Sequence, residues 1–151
     1  MAWETHVTVA VVVERDGRFL LVEEMADRPA PVYNQPAGHV EKGETLAQAA
    51  VREAREETGW EVALTAFLGL YVYTPPHNPD HTYYRACFLA EAREHFPDQT
   101  LDDGILRAVW LTRDEIAASA CLRSPLVLRC VDDALAGRRF PLELVHEHPL
   151  P

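Results

Sequence analysis

Three glutamates, Glu53, Glu56 and Glu57, crowd into the run Arg52–Gly59, "REAREETG". Thr45 with Gln48 three residues on fits a capping box, and Gly59 fits a C-terminal stop. No proline or glycine lies between Glu44 and Gly59, so a helix is expected from Leu46 to Thr58. At about 100° per residue, Glu56 falls at about −60° and Glu57 at about +40° from Glu53, inside the arc that holds Leu46, Ala49 and Ala50. Gln48, Val51 and Arg55 fall on the other side. A solvated charge run lies opposite the apolar stripe; here the carboxylates extend it. Like charges one turn apart cost an isolated helix about 0.2–0.5 kcal/mol, and burying them unpaired costs far more. A plain surface helix with Arg52 and Glu56 as an i,i+4 pair leaves the facing unexplained, so the fold must supply a balancing charge.

A divalent metal is the natural source, because Mg²⁺ takes oxygen ligands and carboxylate clusters provide them. The chemistry suited to such a cluster is phosphoryl transfer, where the metal neutralises a diphosphate and lowers the pKa of a bound water. The preceding loop, "NQPAGHVEKGE" (34–44), holds Gly38 and Gly43, which permit close backbone approach to phosphate or metal.

The rest of the chain frames this helix. "HVTVAVVV" and "RDGRFLLVEE" read as strands at about Val7–Glu14 and Arg18–Glu23, joined by the hairpin signal Asp16-Gly17. Residues 25–37 carry Pro29, Pro31 and Pro36 and read as loop. "VALTAFLGLYVYT", "HTYYRACFLAEA" and "ILRAVWL" read as strands, the first two flanking the proline-rich loop "PPHNPDH". Thr112 with Glu115 is a second capping box, and Ser124-Pro125 opens another helix that ends at Gly137. The tail "RRFPLELVHEHPLP" has no period and reads as loop. Strands before, between and after helices predict a mixed sheet with helices on its faces.

At 151 residues one domain, 1–151, is expected. A formal net charge of −10 without a basic cluster argues against a nucleic-acid polymer as partner, though not against nucleotides. No apolar run reaches a membrane span and no basic region precedes the N-terminal one, so a soluble cytoplasmic protein is expected. Cys87, Cys121 and Cys130 are odd in number and form no C-x-x-C, which suggests neither a disulfide framework nor a zinc site.

Gly38, five residues, Glu44, seven residues, then Arg52-Glu53-Ala54-Arg55-Glu56-Glu57-Thr58-Gly59-Trp60 resembles the Nudix hydrolase signature, G-x5-E-x7-R-E-U-x-E-E-x-G-U with U apolar. Trp60 stands where Ile, Leu or Val is usual. The resemblance implies an α/β protein of the α+β type, the Nudix fold, a mixed β-sheet sandwiched between α-helices. It implies an enzyme that hydrolyses a nucleoside diphosphate linked to another group, with Mg²⁺, or Mn²⁺ in its place, held by Glu53, Glu56, Glu57 and the carbonyl of Ala37. Arg52 would orient Glu53 and Glu44 would support the site. "HVTVA", "FLLVEE", "NQPAGH", "LRSPLV" and "FPLE" are similar to a bacterial phosphatase branch that acts on nucleoside tri- and diphosphates and on the pyrimidine diphosphate precursor of thiamine. The rivals are a sanitising enzyme for oxidised nucleotides, an ADP-ribose pyrophosphatase, and a nucleotide-binding module without catalysis, for which a degraded signature is usual. A small-molecule partner and a monomer or homodimer follow.

Outside the signature several residues have two readings. Asp102 and Asp103 precede a strand where the family places another acid as metal ligand or base; otherwise they are solvated loop acids. Asn34 and Gln35 are donors to a substrate or ordinary turn residues. Arg85 and Arg123 are phosphate clamps or ion-pair partners. Tyr33, Tyr71 and Tyr73 stack on a base or pack the core. The seven histidines show no H-E-x-x-H spacing, and only His39 lies near the expected phosphates.

Overall fold

The computed structural model describes residues 2–25 and 28–151. Two long strands, β1 (Glu4–Arg15) and β2 (Arg18–Glu24), meet at a turn in which Asp16 and Gly17 both take positive φ, 52° and 75°. That is the geometry a two-residue hairpin demands and the reason for Asp-Gly there. Then come β3 (Val32–Asn34), β4 (Ala37–His39), α1 (Leu46–Thr58), β5 (Trp60–Tyr73), β6 (His81–His95), β7 (Ile105–Thr112), α2 (Arg113–Ala118), α3 (Leu126–Leu135) and a 3₁₀ turn at Leu142–Leu144. No helix is long and apolar enough to cross a membrane among the described residues.

Strands β1 and β6 run parallel, with Glu4 opposite His81 and Val13 opposite Ala90. The other strand pairings, β1 with β2, β5 with β6, β4 with β1, and β3 and β7 with β2, are antiparallel, so the sheet is mixed as expected. β1 is covered on both faces. Ala10 and Val12 pack towards Ile116 of α2 and Val127, Cys130 and Val131 of α3, whereas Val9, Val11 and Val13 pack towards Ala49, Ala50 and Ala54 of α1. This explains the nearly unbroken apolar run in place of a strict alternation.

The ends of α1 fall where the capping residues put them: Thr45 Oγ1 accepts the Gln48 N–H at 3.1 Å, Gln48 Oε1 accepts the Thr45 N–H at 2.9 Å, and Gly59 turns left-handed at φ 73°. Pro125 already has helical φ and ψ (−58°, −20°) before α3, and Ser124 Oγ accepts the Leu126 N–H at 3.2 Å. Two expectations need correction. The loop expected over 25–37 contains β3 and the first residue of β4, while Ala26 and Asp27 lie outside the described residues. Pro31 and Pro36 flank β3 and leave its ladder intact, and the Pro36 carbonyl still accepts the Val11 N–H at 3.1 Å. The tail is not all loop either. Phe140 exchanges two backbone hydrogen bonds with Phe67, at 2.8 and 2.9 Å, before the 3₁₀ turn.

Candidate active site

Helix α1 meets the sheet through alanines, and such small residues bring its axis close enough for Glu53 and Glu57 to reach the backbone of β4. Both residues are buried, 9% and 8% exposed, whereas Glu56 is only partly covered. A Cβ built on Gly38 would collide with the Glu53 carboxylate, whose Cδ, Oε1 and Oε2 are its three nearest neighbours. The glycine of the signature is thus explained by the glutamate lying on it. The sequence had suggested only an approach by phosphate or metal.

Arg52 organises the cluster. Its Nε and Nη2 donate to the two oxygens of Glu44 at 2.9 and 2.6 Å, and Nη1 donates to Glu53 Oε1 at 2.9 Å and Glu56 Oε2 at 3.1 Å. Nη2 also donates to the His39 carbonyl at 3.1 Å, which ties the helix to the loop. Hydrogen bonds from Arg52 hold the Glu44 carboxyl below its ordinary pKa. One guanidinium cannot neutralise the remaining acids. Burial raises the pKa of Glu53, and burial pushes Glu57 up to about 9, with the charge on Glu53 adding to it. Metal-free, this site therefore holds a proton on Glu57 at neutral pH.

Oxygens of Glu53, Glu56 and Asp102 converge within 4.8 Å of one another. That all-oxygen, anionic donor set fits a hard divalent cation such as Mg²⁺. Both loop aspartates are exposed, but the structure separates them: the Asp102 N–H donates to the Glu56 carbonyl at 3.0 Å and its carboxylate joins the cluster, whereas Asp103 lies outside it. Glu57 stands apart from the converging three, because its Oε1 accepts the Ala37 N–H at 2.8 Å. That bond also fixes the backbone of Ala37 beside the acids.

A cavity of about 330 Å³ is lined by Ala37, Gly38 and His39. Arg85 lines its floor; the guanidinium donates to Gln35 Oε1 and Asn34 Oδ1, both at 2.8 Å. Gln35 is 1% exposed and its amide nitrogen donates to the Val127 carbonyl at 2.7 Å. Its hydrogen-bonding capacity is thus directed at Arg85 and α3, and it does not line the cavity. Asn34 does line it, with its amide nitrogen 3.4 Å from Glu24 Oε1. Arg123 lines the wall, 3.8 Å from Glu24, so the clamp and ion-pair readings both describe its position. Arg28, which the sequence did not single out, lines the same wall and donates to the Arg123 carbonyl at 2.9 Å. Of the three tyrosines singled out by sequence, Tyr73 lines the cavity, Tyr71 is buried and donates to Asp133 at 2.7 Å, and Tyr33 packs on the core; Tyr83 lines the cavity as well. The site thus pairs an acidic platform with a cavity carrying three guanidiniums, an arrangement that can hold a polyphosphate across the two.

Comparison with known proteins identifies the family and the fold. The NUDIX domain model matches residues 4–128. The phosphatase NudJ of Escherichia coli K12 is 38% identical over 149 residues, 99% of this chain and 95% of that protein. A Nudix hydrolase structure from Nitrosomonas europaea superposes with a TM-score of 0.92 at 42% identity, over 96% of this chain and 98% of that one. A MutT Nudix hydrolase from Burkholderia pseudomallei, 22% identical with a TM-score of 0.70 over 86% and 98% of the two chains, shares the fold. The chain belongs to the Nudix hydrolase family.

Proposed function

We propose that this hydrolase is Mg²⁺-dependent, with Mn²⁺ able to substitute, and that it releases phosphate from nucleoside tri- and diphosphates and from small diphosphate esters, including the pyrimidine diphosphate precursor of thiamine. The observation that carries the reading is the abutment of the arginine-lined cavity on the carboxylate cluster through Ala37–His39. The 38% identity to a protein named a phosphatase supports phosphate as the leaving group. Net charge −10 supports a small-molecule substrate over a nucleic-acid polymer. We read residues 1–151 as one domain, acting in the cytoplasm as a monomer or homodimer.

In this reading Glu53, Glu56 and Asp102 would hold the metal, with Glu57 and the Ala37 carbonyl completing the shell. When bound, the ion neutralises the phosphate oxygens and polarises phosphorus towards water. Arg85, Arg28 and Arg123 receive the phosphates, and Asn34 and Gln35 orient Arg85. Glu53, held by Arg52 at Oε1, would take the proton of the attacking water, with Asp102 the other acid placed for that role. The catalytic set is therefore Glu53, Glu56 and Glu57, with Arg52 as the positioning residue.

The test is a screen of Mg²⁺-dependent turnover with product analysis. Orthophosphate from nucleotides or the thiamine precursor is the expected result. Pyrophosphate would indicate the sanitising reaction, and AMP with ribose phosphate an ADP-ribose pyrophosphatase. Nucleotide binding without turnover would indicate a non-catalytic module.

A further inference from the structure

A second cluster of metal-ligand chemistry lies at the other end of β1. Strand alternation puts Glu4 and His6 on one face, and the parallel register sets His81 of β6 directly opposite Glu4. His6 Nε2 lies 2.8 Å from His81 Nδ1, and Glu4 Oε2 lies 3.5 Å from His81 Nδ1 and 3.9 Å from His6 Nε2. A hydrogen bond between the two rings accounts for the shortest side alone, not for the carboxylate completing the triangle. The circle through those three atoms has a radius of about 2.0 Å, the bond length of Zn²⁺ to imidazole nitrogen and carboxylate oxygen. The two rings meet head-on through these nitrogens, with planes 15° and centroids 5.1 Å apart, so an ion sits among the three atoms once the rings turn their lone pairs towards it. The histidine side chains are 22% and 28% exposed and that of Glu4 60%, so an ion can enter from solvent and keep a water.

The support behind these ligands is also present. His6 Nδ1 faces His39 Nε2 at 3.3 Å, which can fix the tautomer that frees Nε2 for a metal. The His6 ring stacks on Tyr83, with centroids 4.7 Å apart. We propose that Glu4, His6 and His81 form a site for a borderline divalent ion of the Zn²⁺ type, distinct from the all-oxygen acidic cluster. Imidazole donors favour Zn²⁺, Ni²⁺ or Cu²⁺ over Mg²⁺, so the two sites sort their ions by ligand chemistry. An ion there pins β1 to β6 and, through His6, braces His39, whose carbonyl holds Arg52.

The experiment is calorimetric titration of Zn²⁺ into the full chain under a large fixed excess of Mg²⁺, which fills the acidic cluster. Wild type and Glu56→Gln are expected to take up one Zn²⁺ per chain, and His81→Gln to bind it at least roughly tenfold more weakly. Zn²⁺ should also raise the melting temperature of wild type more than that of His81→Gln. Where His81→Gln melts lower than wild type without metal, Glu4→Gln, changed at an exposed strand end, carries the same comparison. Undiminished binding by both variants, as the tail pair His146 and His148 would give, overturns the proposal. So does loss of Zn²⁺ binding in Glu56→Gln, or no uptake by wild type.

Discussion

Replacing Gly38 by alanine isolates the position of one carboxylate. The new Cβ would overlap the Glu53 carboxylate, and the three atoms nearest to it all belong to that group. Gly38 is not among the positive-φ glycines, so the backbone accepts alanine without strain. To regain ordinary contact the carboxylate must retreat by roughly 1.5 Å, a distance set by the 3.5–4.0 Å optimum between carbon atoms. That retreat strains or breaks the 2.9 Å bond from Arg52 Nη1 to Glu53 Oε1 and moves an oxygen out of the converging set. A misplacement of this size costs about 10²-fold in rate. The stability cost is much smaller. Overpacking costs about 1–3 kcal/mol in a rigid core, but here the yielding atoms end a side chain, and removing a glycine recovers about 0.4–1 kcal/mol. The expected outcome is a melting temperature within about 4 °C of wild type in EDTA, together with a kcat for Mg²⁺-dependent phosphate release reduced about 100-fold. A Gly38→Ala enzyme within about threefold of wild type would refute the reasoning, since it would show that Glu53 need not lie where it does.

Glu57→Gln keeps the acceptor for the Ala37 N–H and mimics the protonated acid, so it should fold normally yet lose most of its rate, about 10²-fold, in steady-state kinetics. The same variant should reveal the proton. Because the folded-state pKa of Glu57 is raised from 4.5 to about 9, the folded chain holds a proton that the unfolded chain has released between those values. Metal-free stability should then fall as pH rises through that window, by up to about 1.4 kcal/mol per unit. The difference in urea stability between wild type and Glu57→Gln in EDTA, measured from pH 5.5 to 8.5, should carry that slope. Arg123→Ala removes a cation 3.8 Å from Glu24 on the cavity wall and should raise KM about tenfold with kcat little changed in initial-rate assays.

Local features were the legible ones. The bounds of α1 and the hairpin at Asp16-Gly17 follow from capping and turn chemistry that act within a few residues. The facing of Glu53 and Glu57 followed from helical period alone and is matched by their burial. What escaped depends on contacts distant in the chain. Short β3 exists because β2 offers it a ladder, despite the prolines around it. Asp102 rather than Asp103 joins the acids because its N–H is caught by the Glu56 carbonyl, and nothing local distinguishes the two. By sequence Gln35 is a substrate donor or a turn residue, and what its amide meets in the fold is Arg85 and Val127, residues at least 50 positions away. Arg28 reaches the cavity through Arg123, and His6 meets His81 through a parallel pairing that no short window reveals.

The central claim is that the crowding in "REAREETG" is balanced by a divalent cation. Calorimetric titration of Mg²⁺ at pH 7.5 into metal-free wild type, repeated in buffers of different ionisation enthalpy, tests it most directly. The expected result is saturable binding accompanied by proton release, because the buried Glu57 must give up its proton as the ion arrives, and loss of that binding in Glu53→Gln. Binding without proton release, or equal affinity in Glu53→Gln, would contradict the account.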